Sequence, residues 1–120
     1  MEQLEQPEAA QDTVAYPPLQ WVKAVLRSNQ HARLSRRRHI LGAYVVGSEA
    51  RGTARTDSDL DIAVVISGRQ FPSALQISES YHAKFLSEDA LPKWNDRTVD
   101  FQFFFQGDEE LATYSKIPLA

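Results

Sequence analysis

The sequence predicts an α/β (α+β) fold class, a small mixed β-sheet with helices packed on it. Three short runs rich in strand-forming residues, 40–46, 59–66 and 97–106, alternate with segments of helical spacing. In this chain of 120 residues, 42% are hydrophobic, which is enough for one small core. We therefore expect one domain over residues 17–120, preceded by a flexible tail over residues 1–16, where apolar periodicity is lacking.

Apolar residues at helical spacing predict two longer helices. The first runs from about residue 18 to 34, after two prolines that favour a helix start. The second runs from about residue 72 to 87, and its apolar stripe contains Ala74, Ile77, Tyr81 and Phe85. Ser48 is expected to cap a short helix through about Arg55. Residues 56–58 read as a turn, and residues 108–114 could begin a last short helix.

Period-two alternation gives the second and third strands one apolar and one polar face. Asp59 and Asp61 share the polar face at the beginning of the second strand. Asp100 is the only carboxylate within the third strand, and it also lies opposite the apolar face. The apolar faces consist of Leu60, Ile62, Val64 and Ile66 in the second strand and Val99, Phe101, Phe103 and Phe105 in the third. Three carboxylates are therefore expected on neighbouring strands.

Composition and charge narrow the class of protein. The chain has no cysteine, which excludes disulfides and thiolate metal sites. It has no apolar run near the roughly 20 residues of a membrane helix, and its acidic start is unlike a targeting signal, so we expect a cytoplasmic protein. The net charge of -3 argues against a general nucleic-acid binder. Residues 17–56 nevertheless carry eight bases against one acid, while residues 57–120 carry eleven acids against five bases, which suits a polyphosphate and metal site.

The stretch GSEARGTARTDSDLD, residues 47–61, contains most of the expected chemistry. Gly47 allows the backbone to approach a phosphate, and Ser48 offers a hydroxyl and N–H groups at a helix N-terminus. Arg51, one turn further along, would add positive charge, whereas Arg55 could face either solvent or a phosphate. The carboxylates supply hard oxygen ligands for two Mg²⁺ ions, which can activate an attacking oxygen and stabilise leaving pyrophosphate. These ligands are Asp59, Asp61 and Asp100.

This stretch resembles the signature of the polymerase-beta-like nucleotidyltransferases, which reads Gly-Ser, ten residues, Asp-x-Asp. It is similar in particular to the version in the small minimal nucleotidyltransferases, GSxARGxxxxxSDxDL, with Ile62 in place of Leu. Val99-Asp100-Phe101 matches the third carboxylate of the family, which lies on a later strand. The resemblance covers about residues 18–106, and the segment that follows departs from the final helix of many small members.

The resemblance implies a nucleotidyltransferase fold and Mg²⁺-dependent transfer of a nucleoside monophosphate, typically AMP from ATP, to an acceptor hydroxyl. It implies that Asp59 and Asp61 bind both metal ions and that Asp100 completes the site and helps to deprotonate the acceptor. The phosphates of ATP or another nucleoside triphosphate would be held by Gly47, Ser48 and Arg51. Small members are often antitoxins of a helical HEPN ribonuclease, and some adenylylate a tyrosine of that toxin, so a HEPN-type protein is an expected partner.

Two other functions stay open. The fold could neutralise a partner by contact alone, without catalysis. The run Arg36, Arg37 and Arg38 could bind RNA, although such a run is more often a solvated helix end. Trp94, expected in a polar loop near the third strand, could stack on a base or cover the edge of the core.

Overall fold

The computed structural model describes residues 16–28, 39–55, 57–68, 73–83 and 91–120. The strands are Ile40–Val46 (β1), Leu60–Ile66 (β2), Lys93–Trp94 (β3), Arg97–Phe105 (β4) and Ile117–Pro118 (β5). They form one sheet in the order β3-β4-β2-β1-β5. Strands β2 and β4 are parallel, and the other neighbouring pairs are antiparallel. The predicted mixed sheet is thus confirmed.

Four helices lie in the described ranges: Leu19–Ser28 (α1), Gly47–Arg51 (α2), Ala74–Ala83 (α3) and Glu109–Ala112 (α4). The predicted continuations of α1 to residue 34 and of α3 to residue 87 fall outside the described residues. Helix α3 starts at a capping box, in which Ser73 Oγ accepts from the Gln76 amide at 3.2 Å and Gln76 Oε1 accepts from the Ser73 amide at 2.8 Å. None of these helices is long and apolar enough to cross a membrane.

The main core lies on one face of the sheet, and the predicted alternation accounts for it. Both apolar strand faces are buried there, with 0% exposure at Leu60, Ile62 and Phe101. Helices α1 and α3 cover this face. A smaller cluster on the opposite face contains Val46, Ala63, Val65, Phe104 and Leu111. That second face is therefore apolar toward the ends of β2 and β4 and acidic at their beginnings.

The predicted cap of the short helix α2 is wrong in both its residue and its length. The N-cap is Val46, the last residue of β1, with no side-chain capping bond, because the strand runs directly into the helix. Ser48 lies inside the first turn instead. The helix ends at Arg51, short of the predicted Arg55, because Gly52 adopts a left-handed conformation with φ of 77°.

Two short strands were not predicted, since two residues cannot show alternation. Strand β3 forms a hairpin with β4 through Asn95 and Asp96, whose φ angles of 51° and 67° suit a two-residue turn. Strand β5 pairs with β1 and brings Leu119 into the core. Trp94 therefore lies in a strand rather than a polar loop. It packs edge-to-face on Trp21 with centroids 5.3 Å apart, so it covers the core edge and does not face the acidic side of the sheet.

A side chain of α3 substitutes for a strand partner at the edge of β4. The Ser78 hydroxyl, only 9% exposed, accepts a hydrogen bond from the Phe103 amide at 3.0 Å. Replacing Ser78 with Ala would remove the acceptor that Ser78 offers to this backbone amide. We expect Ser78→Ala to lower the free energy of unfolding by about 1–3 kcal/mol in urea melts. Leu75→Ala, on the same helix but 67% exposed, should change it by less than about 0.5 kcal/mol, and equal effects would contradict this role.

Candidate active site

The parallel pairing of β2 with β4 brings two of the three predicted carboxylates side by side. Asp61 and Asp100 are register partners, on strands that lie about 4.8 Å apart in a sheet. On the other side of Asp61, the register partner is Val46, the last residue of β1. Because β1 is antiparallel to β2, its end meets the beginnings of β2 and β4. The Gly47–Ser48 pair therefore lies beside the carboxylates.

Asp59 lies one residue before β2 rather than within it. It is partly buried, as Asp61 and Asp100 are. Its negative charge acts on Asp61, which places it in the same acidic cluster. The sequence prediction put Asp59 on the strand itself; in the structure its backbone is held from the side by Arg97, whose guanidinium lies 3.4 Å from the Asp59 carbonyl oxygen.

The ionised form of Asp61 is disfavoured by its surroundings in the cluster. Burial, followed by the charges of Asp100 and Asp59, raises the pKa of Asp61 from 3.8 to about 6. The positive charges of Arg51 and Arg97 oppose this rise. Desolvation and like charges both disfavour a carboxylate, and a bound cation would favour it. The cluster thus carries a negative charge that a bound cation would neutralise.

Gly47 is required by its contact with Asp61 as well as by its backbone. Its φ of 72° lies in the left-handed region that side chains disfavour. A Cβ atom at this position would also collide with the carboxylate oxygen Oδ2 of Asp61 and lie only 3.2 Å from its Cγ. The sequence suggested that Gly47 leaves room for a phosphate; the structure adds that it leaves room for Asp61.

A cleft of about 370 Å³ opens beside these residues. Its lining consists of Val46, Gly47, Arg51, Asp61, Gln102, Thr113, Tyr114 and Ser115. Three predicted site residues therefore face this space, whereas Ser48, Asp59 and Asp100 do not line it. Thr113, Tyr114 and Ser115, which follow α4, were not predicted for the site, because their proximity to Gly47 arises only when the sheet has formed.

Arg55 lies at the surface and does not line the cleft. Its side chain is 82% exposed and pairs at 3.6 Å with Asp57, which is 76% exposed. The Ser58 hydroxyl accepts from the Arg55 amide at 2.9 Å, which closes the predicted turn. The alternative in which Arg55 faces solvent is the one that fits the structure.

Three further residues form a network around the acidic cluster that sequence reasoning missed. Arg97 Nη1 donates to Glu49 Oε1 at 2.9 Å, and the Tyr16 hydroxyl donates to Glu49 Oε2 at 3.1 Å. Glu49 lies in the first turn of α2, where an acidic side chain is favoured by the helix dipole. Since Arg97 is 48 positions away from Glu49, no local pattern could have paired them.

The donor set of the cluster fits Mg²⁺ in its chemistry. Carboxylate oxygens are the hard ligands that this ion prefers, and Asp61 and Asp100 present two on neighbouring strands. Among the residues that the structure describes, no three His, Cys, Asp or Glu side chains form a group that could hold a metal ion by themselves. Mg²⁺ usually takes one or two carboxylates and completes its shell with substrate phosphates and water. The arrangement is therefore consistent with a cation that arrives together with a polyphosphate.

Comparison with known proteins agrees with this geometry. A family model described as "Polymerase beta, Nucleotidyltransferase" matches residues 29–115. The matched range includes every residue of the acidic cluster and the Gly47–Ser48 pair. No curated protein and no solved structure matches the chain.

Proposed function

We propose a reaction for this chain, which belongs to the polymerase beta nucleotidyltransferase family. Enzymes of this family are transferases that typically use a nucleoside triphosphate and metal ions. The proposed reaction is Mg²⁺-dependent transfer of a nucleoside monophosphate, AMP from ATP, to an acceptor hydroxyl. The observation that supports it best is the side-by-side placement of Asp61 and Asp100 next to Gly47.

Each side chain would have a separate role in the proposed reaction. Asp59 and Asp61 would bind two Mg²⁺ ions, and Asp100 would complete the site at the acceptor side. When bound, the ions would supply charge stabilisation for the attacking oxygen and the leaving pyrophosphate. Asp100 would accept the proton of the acceptor hydroxyl, whose oxygen then bonds to the α-phosphorus. The bond from the α-phosphorus to the oxygen that bridges it to the β-phosphorus would break. The departing pyrophosphate would be bound by Gly47, Ser48 and Arg51.

The acceptor is proposed to be a tyrosine hydroxyl of a partner protein, as in the antitoxin-type minimal nucleotidyltransferases. The resemblance of residues 47–62 to that group supports this, and a HEPN-type helical protein is the proposed partner. The run Arg36–Arg38, which would serve an RNA-binding function, lies outside the described residues. The net charge of -3 does not favour RNA as the main ligand.

The experiment incubates the chain with each of four α-³²P-labelled nucleoside triphosphates, Mg²⁺ and the HEPN-type helical protein proposed as its partner. We expect label from ATP to appear on that protein, and chelation with EDTA should prevent it. Asp59→Asn and Asp100→Asn should each lower transfer at least about 100-fold, because a metal ion contributes several kcal/mol to such a transition state. Undiminished transfer by both variants would contradict the proposed mechanism.

A different negative result would favour the function without catalysis. If the wild-type chain binds the helical protein but transfers label from none of the four nucleotides, it neutralises its partner by contact alone. Asp57→Asn provides a matched control, since this exposed carboxylate lies in the same segment. Its transfer should stay within about twofold of wild type, as expected for exposed ion pairs.

A further inference from the structure

Arg97 links the three chain segments that carry the candidate site. It is the first residue of β4, three positions before Asp100. Its Nε and Nη2 atoms donate to the Ser58 carbonyl oxygen at 3.3 and 3.1 Å, and Nη2 also lies 3.4 Å from the Asp59 carbonyl oxygen. The remaining nitrogen, Nη1, donates to Glu49 on α2 at 2.9 Å. One guanidinium thus connects α2, the segment before β2 and the start of β4.

These contacts are shielded from water to an extent that a surface pair is not. The side chains of Arg97 and Glu49 are 24% and 22% exposed. The pair of Arg55 and Asp57 in the same region is more than three-quarters exposed on both sides. Both carboxylate oxygens of Glu49 are bonded, the second one by Tyr16. Charged forked hydrogen bonds away from water fix a geometry, whereas exposed pairs contribute little.

Asp59 depends on this support because it lies just outside the sheet. The pairing of β2 with β4 begins at Leu60, and the pairing of β2 with β1 ends at Asp61. The backbone of Asp59 is thus not held by a strand partner in either pairing. The bonds from Arg97 reach its own carbonyl oxygen and that of the residue before it.

We propose that Arg97 is a positioning residue for the cation site, which holds the backbone of Ser58 and Asp59 so that the Asp59 carboxylate binds the cation together with Asp61. Glu49 holds the guanidinium in place and offsets its charge. This role rests on the proposed function, since it takes Asp59 as a cation ligand. A positioning role for Arg97 and a purely electrostatic role predict opposite effects of its removal on cation binding. Removing a nearby positive charge strengthens cation binding by Coulomb's law, whereas losing the support of Asp59 weakens it.

The test measures Mn²⁺ binding rather than turnover. The 120-residue chain is titrated with Mn²⁺ at a fixed concentration of a non-hydrolysable ATP analogue, and free Mn²⁺ is followed by its EPR signal. The same titration without protein gives the Mn²⁺ bound by the analogue alone, and this amount is subtracted. Arg97→Lys keeps the charge but loses the forked geometry, and Arg97→Gln loses both. We expect each to weaken Mn²⁺ binding about 10- to 100-fold, as for other residues that orient metal ligands. Arg55→Gln, from the exposed pair, should stay within about twofold of wild type.

Each outcome of this titration supports or overturns the positioning role of Arg97. Mn²⁺ binding that is unchanged or tighter in folded Arg97→Lys would overturn the positioning role alone. A wild-type chain that binds no Mn²⁺ with the analogue would overturn the proposed function, and the role of Arg97 with it. If Arg97→Gln does not fold, as judged by circular dichroism, Arg97→Lys still decides, because it retains the charge and the partly buried stem. Equal weakening by Arg55→Gln would show that the effect is not specific to the contacts of Arg97 and would also overturn the proposal.

Discussion

Replacing Asp61 with Asn is expected to abolish nucleotidyl transfer and at the same time to stabilise the protein at neutral pH. Transfer should fall at least about 100-fold, because the variant loses a carboxylate that would bind both metal ions. Stability should rise because burial and the charges of Asp100 and Asp59 oppose the ionised form of Asp61. Asn has nearly the same shape and carries no charge. Transfer assays and thermal melts of the same preparations measure the two effects.

The gain in stability should depend on pH in a defined direction. The pKa of Asp61 is about 6 in the folded protein, against an ordinary value of 3.8. Between these values the folded state binds more protons than the unfolded chain, so stability decreases as the pH rises from about 4 to 6. Above pH 6 the penalty is complete, and Asp61→Asn removes it. Because the side chain is only partly buried, we expect a gain of about 1 kcal/mol at pH 7.5 and almost none at pH 4.

Metal ions should reverse the order of stability. Under the proposed function, Mg²⁺ with a nucleotide would bind the folded state and so raise the melting temperature of the wild type. The rise should be larger at pH 7.5 than at pH 5.5, where Asp61 is largely protonated. Asp61→Asn should respond weakly at both pH values. Asp57→Asn is the control, since its carboxylate is 76% exposed and should give wild-type behaviour. If Asp61→Asn is less stable than wild type at pH 7.5 without metal, the ionised carboxylate of Asp61 does not destabilise the folded protein, contrary to this prediction.

The sequence predicted the central sheet because its strands contain enough residues to show alternation. Strand β1 matches its predicted bounds, and β2 and β4 differ from theirs by one residue at one end. The faces of β2 and β4 were also predicted, which placed Asp61 and Asp100 on the side away from the core. Their direct pairing could not be predicted, since register depends on how the two strands align, and that is set by packing across the sheet.

Features that depend on contacts between segments far apart in the sequence could not be predicted, because no local sequence pattern indicates them. Arg97 and Glu49 are 48 positions apart, and each alone resembles an ordinary surface charge. The wrong prediction of a Ser48 cap has a similar origin. Serine at a helix start is usually a cap, but here β1 runs directly into α2, so the cap position belongs to Val46. The steric role of Gly47 could not be predicted either, because Asp61 lies next to it only in the folded sheet.

Gly47→Ala is expected to impair both stability and transfer, and Gly52→Ala separates the two causes. The two glycines have similar φ angles of 72° and 77°, so an alanine at either position costs about 1–2 kcal/mol in backbone strain. A Cβ at Gly52 meets nothing within 4 Å, whereas one at Gly47 collides with the carboxylate of Asp61. We therefore expect Gly52→Ala to lose stability only. Gly47→Ala should lose more stability and at least about tenfold in transfer, since a misplaced Asp61 carboxylate would weaken the proposed metal site.

A double-mutant cycle identifies the collision itself. If the carboxylate of Asp61 causes the additional cost at Gly47, that cost should shrink when Asp61 is replaced by Ala, because the colliding Oδ2 and the Cγ at 3.2 Å are then gone. The Cβ of residue 61 remains at 3.3 Å, so some crowding persists. We expect the two substitutions to couple by about 0.5–3 kcal/mol in urea melts, as residues in contact do. The cycle of Gly52→Ala with Asp61→Ala should be additive within about 0.5 kcal/mol. Additive effects in both cycles would mean that Gly47 is required for its backbone conformation alone.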